Sequence, residues 1–248
     1  TVNVVVSLTI TVKNEAGSAI QYAQVTIQKL FTDTEVGHPG NPFTSAIGNN
    51  QGDADFIVTE TPPADLPGSG WINVKTGRIE QTYRYATRSG TTFTLNSEVT
   101  GTDDGTGTST VLNETGIGSK NIVEGDTIRN TTASPDQWAV VLTVSANSVT
   151  TTTLSDGGSW ASASYSVHRL AVNYTSGTDT AIVPLMNEET NGSGVASETY
   201  NYGSVKSVIV KVRRSPSGTD YLPFSSEQTI TSSGLALNVT LLEDTIKS

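Results

Sequence analysis

Apolar and polar residues alternate along most of this chain with a period of two, and nowhere with the spacing of a long helix. Leu8, Ile10 and Val12 share one face of residues 7–13, the pattern of a half-buried strand. Gly17 turns the chain, and Val25 and Ile27 lie on a returning strand over residues 23–28. Further strands are predicted at 54–58, 71–74, 81–87 and 91–95. The loops between them hold Pro39 and Pro42, then Pro62, Pro63 and Pro67, and proline cannot donate to a central ladder.

Residues 96–107 are polar, glycine-rich and without apolar period, which reads as a linker. Five short strands follow, at 109–112, 127–130, 139–144, 148–154 and 164–168. Gly125, Gly157 and Gly158 stand at the turns, where hairpins need positive φ. A third region opens near Leu170 with short strands at 171–174 and 181–186. It repeats the order of the first: the turn at Gly194 and the strand from Val208 to Arg214 echo the turn at Gly52 and the strand from Trp71 to Lys75. The expected division is two β-sandwiches, at 1–96 and 170–248, flanking a small hairpin-rich module at 97–169.

Composition supports an all-β chain. Ser and Thr exceed a quarter of the 248 residues, and β-branched Thr suits a sheet with one wet face. The net charge of −10 argues against a nucleic-acid partner, which needs clustered cations. The one local cluster, Lys206, Lys211, Arg213 and Arg214, alternates along a strand as a solvated face does. The absence of cysteine removes disulfides and thiolate metal sites. No run approaches the roughly 20 apolar residues of a membrane span, and residues 2–8 are too short and polar for a signal sequence.

The middle region has Gly125-Asp126, Asn130-Thr131-Thr132, Thr151-Thr152-Thr153-Leu154, Gly157-Gly158 and Tyr165 in order. This resembles a hairpin module of tailed double-stranded DNA bacteriophage virion proteins, with Ala161–Ser164 standing where the pattern has a second Gly-Asp. The last region, through Gly194, Val210, Tyr221, Gly234 and Leu242, resembles the Ig-like module that often follows it. The first, through Val12–Gly17 and Ala23–Ile27, is similar to transthyretin-like sandwiches. The resemblance implies a non-enzymatic structural protein on the virion exterior, most simply a capsid decoration protein. Its implied partners are the major capsid protein, other virion proteins and further copies of itself. The alternatives are a tail or fibre component, or a bacterial surface module that binds carbohydrate.

Individual residues narrow this only a little. Val2, Val4, Val5 and Val6 form an apolar, β-prone terminus, which reads either as an assembly arm that adds a strand to a neighbour or as a first core strand. Tyr83 with Tyr85, and Tyr200 with Tyr202, each share a strand face and are candidates for stacking on a host-surface glycan, against the commoner core role of aromatics. His38 and His168 have no second histidine or cysteine nearby in sequence. Asp53 and Asp55 beside Asn49 and Asn50, and the pair Asp103 and Asp104, carry oxygen ligands but lack a calcium-loop spacing, so turn roles are expected. No catalytic residue, metal site or cofactor is expected.

Overall fold

The computed structural model describes residues 4–214 and 220–244, and it is nearly all β-sheet. The chain opens with β1 (Val4–Asn14) and β2 (Ala23–Lys29). It continues through β3 (Phe43–Thr44), β4 (Asp55–Ile57), β5 (Gly70–Thr76), β6 (Ile79–Ser89) and β7 (Thr92–Leu95). Next come β8 (Val99–Thr102), β9 (Val111–Asn113), β10 (Thr127–Asn130), β11 (Gln137–Val144), β12 (Ser148–Thr151), β13 (Ser164–Val167) and β14 (Thr180–Ile182). The last five are β15 (Met186–Glu189), β16 (Val195–Tyr202), β17 (Lys206–Arg214), β18 (Phe224–Ile230) and β19 (Leu235–Leu241).

Strand pairing joins the two ends of the sequence. β1 runs antiparallel to β16 and parallel to β19, while β2 lies between β15 and β17, with β18 beyond. These seven strands make one sandwich of a three-stranded and a four-stranded sheet. Its alternation is strict: Leu8, Ile10, Val12, Ala23, Val25 and Ile27 are fully buried, and Val208, Val210, Val212 and Val239 are buried with them. The terminal regions therefore build one β-sandwich jointly, as halves of one body, in place of the separate sandwiches expected at 1–96 and 170–248. Local periodicity specifies that a strand has a buried face but does not choose the strand across from it.

The second compact unit spans residues 43–61 and 71–181, while residues 62–70 belong with the sandwich. It holds two six-stranded sheets. The first has the order β3-β14-β5-β6-β7-β4. Its outer strands are joined where Ala46 N–H donates to Ile57 O and Thr59 N–H to Thr44 O, so the sheet curls on itself and hides its edges. Phe43, Phe56, Tyr83, Tyr85 and Phe93 fill it, with Tyr85 edge-on to Phe93 at 5.1 Å. The second sheet, β8-β13-β10-β11-β12-β9, lies entirely within residues 97–169. It curls likewise through Asp104 N–H to Asn113 O, around Trp160, Tyr165, Ile128 and Val149.

The connectivity is thus doubly nested. The second curled sheet interrupts the first between β7 and β14, and the first interrupts the sandwich between β2 and β15.

The expected linker at 96–107 contains β8, whose Val99, Thr100, Gly101 and Thr102 pair with β13. An edge strand with one wet face needs no apolar alternation, which is why its composition reads as a linker. Residues 171–174, expected as a strand, form none. Asp103 then anchors the turn. Its Oδ1 accepts from the N–H groups of Gly105, Gly107 and Ser162, and its Oδ2 from Asn113 N–H at 2.7 Å. Burial alone would raise the Asp103 pKa, but these four donors outweigh it and hold the carboxyl below its ordinary range. A group with a depressed folded pKa stabilises the fold above its unfolded pKa and loses that contribution as pH falls through the folded value. Asp103→Ala should therefore cost on the order of 2 kcal/mol near neutral pH and flatten the acid limb of a urea-denaturation pH profile. An unchanged acid limb would count against this role.

Candidate functional site

Outward-facing residues of β8, β13 and β10 line a groove of about 400 Å³. Alternation sets its chemistry: Tyr165 and Val167 point into the core, so Ser164 and Ser166 lie on the opposite face, Ser164 partly exposed and Ser166 buried at the groove floor. Register places Ser164 beside Thr102, Ser166 beside Thr100, and Arg129 on the other side of Ser166. Glu98 and Thr131 complete the lining. The surface is thus built from hydroxyls, one carboxylate and one guanidinium.

Glu98 is oriented by Ser166, whose Oγ donates to its Oε1 at 2.7 Å, and by Arg169 Nη2 at 3.6 Å. Arg129 keeps only 12 % of its side chain exposed, with Nε 3.3 Å from Asp136 and Nη1 donating weakly to Leu170 O at 3.4 Å. Its Nε proton has no hydrogen-bond acceptor in good geometry. Beneath the floor, Lys120 Nζ binds Glu114, the Tyr165 hydroxyl and Thr100 O. Burial, and then Glu114, push the Tyr165 phenol far up, so it remains a neutral structural donor. Sequence reasoning missed this groove. Its one legible signal was the Thr/Ser alternation on β8 and β13, which also reads as ordinary sheet surface.

The residues singled out from sequence fall elsewhere. Val4, Val5 and Val6 pair with Tyr202, Asn201 and Tyr200 in the sandwich itself and form no free arm; of the three only Val6 is buried, while Val4 and Val5 stay exposed. Val2 lies outside the described residues. Tyr83, Tyr85 and Tyr200 are each 1–2 % exposed and offer no stacking platform. Tyr83 and Tyr174 instead share Gln81 in the interior of the first curled sheet. Tyr202 is partly exposed but stands without its expected partner on the surface.

His38 is buried and accepts from Gly40 N–H through Nδ1. His168 is buried beside Asp126, Arg84 and Ser97 O, within a cluster that ties β6 to the second curled sheet. Asp53 and Asp104 accept N–H groups of their own loops, as turn residues do. Among the described residues, no group of three or more acidic or histidine side chains is placed to share a metal ion. No described helix is long and apolar enough to cross a membrane.

The sandwich carries a buried ionic cluster. Lys29 and Lys206 both bind Glu35, and Lys206 Nζ lies 3.1 Å from Asp65 Oδ2, which also accepts the Tyr200 hydroxyl at 2.9 Å. Burial opposes both charges, yet the hydrogen bonds and opposite charges lower the Glu35 pKa and raise that of Lys206. The cluster attaches the 62–70 segment to the sandwich.

No family model matches the chain, and no curated protein sequence matches it. Among solved structures, a variant of the shaft pilin SpaA from Lactobacillus rhamnosus GG aligns over all of both chains at 11 % identity, with a TM-score of 0.21. A second variant aligns over 98 % of this chain and all of the pilin at 10 % identity and a TM-score of 0.20. Similarity at this level carries no argument about function.

Proposed function

We propose that this chain is a non-enzymatic structural protein of a tailed-phage virion, placed on the capsid exterior. It would act by protein–protein assembly with the major capsid protein, other virion proteins or its own copies. The observation that carries the reading is the nested connectivity: a sandwich whose single β2–β15 connection holds an entire second unit. Such a chain suits docking by one body and presentation of another, and the acidic charge of −10 favours solubility where many copies crowd together. The phage-like pattern from Gly125 to Tyr165 belongs to the presented part. Tail and fibre positions use the same logic.

Peptide mass spectrometry of gradient-purified virions from a lysate carrying the gene tests the proposal. The chain should co-sediment with the major capsid protein at a fixed ratio and label the particle exterior in immunogold images. Recovery only from the unsedimented fraction would overturn the assignment.

A further inference from the structure

We propose that the groove on β8, β13 and β10 is a binding site for a neutral saccharide of one or two sugar rings. The inference does not rest on the virion reading. It rests on what the groove offers and on what it lacks.

The lining supplies donors and acceptors in alternation. Arg129 is a donor at one side, Glu98 an acceptor at the other, and the hydroxyls of Thr100, Thr102 and Ser164 between them serve as either, while Ser166 holds Glu98 in place. A vicinal diol needs this mixture, because each sugar hydroxyl both gives and takes a hydrogen bond. Arg129 adds an independent observation. Its guanidinium is largely buried and lines the groove, where Nη1 makes a long bond to Leu170 O and Nε lies 3.3 Å from Asp136 without a hydrogen bond in good geometry. Held in this way, the guanidinium presents a fixed donor to a ligand oxygen seated in the groove.

Competing ligand classes fit less well. An anion would meet Glu98 in the groove and Asp136 beside Arg129, in a chain already carrying −10. An apolar ligand would find no aliphatic lining. A nucleobase would find no exposed ring to stack on, since Tyr165 is 1 % exposed. The volume of about 400 Å³ falls at the lower end of small-ligand sites, roughly 300–1,000 Å³. A site this open and polar should bind with a dissociation constant on the order of 1 mM.

The test titrates the full chain, labelled with ¹⁵N, with glucose, galactose, mannose, N-acetylglucosamine, maltose and lactose, and with glucuronate and sialic acid as anionic probes. At least one neutral sugar should give saturable amide shifts confined to residues 98–102, 129–131 and 164–166. Arg129→Gln should weaken that binding at least tenfold. Ser164→Tyr, which fills the groove from an outward position, should do the same with the thermal midpoint unchanged, so a folding defect in the first variant leaves the test intact. Saturation by anionic sugars alone, shifts located elsewhere, no saturable shift with any probe, or undiminished binding by Ser164→Tyr would each overturn the proposal.

Discussion

A fragment ending at residue 96 is expected to have no folded N-terminal sandwich. Both partners of β1, and both partners of β2, lie beyond residue 185. Without them Leu8, Ile10, Val12, Val25 and Ile27, all fully buried in the intact chain, are left in water. Each such side chain contributes about 1.5–3 kcal/mol when buried, so their sum rivals the 5–15 kcal/mol that holds a typical domain together. In ¹H–¹⁵N spectra, the amides of residues 4–29 should collapse into the narrow random-coil range.

The contrasting fragment, residues 97–169, contains every strand of its own sheet and the core around Trp160. It should fold, though less stably than within the whole chain. Asp126 loses Arg84, which binds it at 2.8 Å, and a buried carboxylate without its cation is costly. Well-dispersed amides for residues 4–29 in the first fragment, or a disordered second fragment, would contradict the nested pairing.

The ionic cluster of the sandwich yields the second large effect. Asp65→Ala leaves the Tyr200 hydroxyl without its acceptor and sets Lys29 and Lys206, both under 10 % exposed, against Glu35 alone. Removing one member of a buried charge pair strands the others. A loss on the order of 3 kcal/mol is expected in urea denaturation, discounted toward the low end because Glu35 is 39 % exposed and screened by water. Combining Asp65→Leu with Lys206→Met removes one charge of each sign and should recover more than half of that loss; a cost that merely adds would show that the groups are not coupled.

The pH signs follow from the same pairing. Glu35, lowered in the fold, contributes above its unfolded pKa, and that contribution is lost as pH falls through its folded value. Lys206, raised in the fold, contributes fully below its unfolded pKa, and its share is lost as pH rises through the folded value. The cluster therefore supports a stability plateau between the carboxylate and lysine ranges, and Lys206→Met should remove its alkaline edge.

Much of the secondary structure was legible from period-two alternation, because a strand with one buried face writes that face into its sequence. Leu8-Ile10-Val12 and Val208-Val210-Val212 are clear cases. β8 was not legible, since backbone pairing to β13 holds it without a buried side chain on every second residue. The aromatic pairs were correctly placed on shared faces, but a shared face has no label for inside or outside. Tyr83 and Tyr85 turned inward because a curled six-stranded sheet has a core that large rings fill. The groove was invisible for a related reason: Thr100, Ser166 and Arg129 are 29 to 66 residues apart in sequence and meet only through the order β8-β13-β10.

By itself the sequence determined the class of this protein, an all-β chain with short strands, tight glycine turns, an acidic surface and no cysteine chemistry. Periodicity and turn chemistry are local, and they act the same way wherever a strand finally pairs. Only the tertiary structure decided that β1 pairs with β16 and β19 rather than with neighbours in its own region, and so made one sandwich of two chain ends. That choice depends on which apolar faces match in length, register and shape across some 190 residues, information that no single stretch contains.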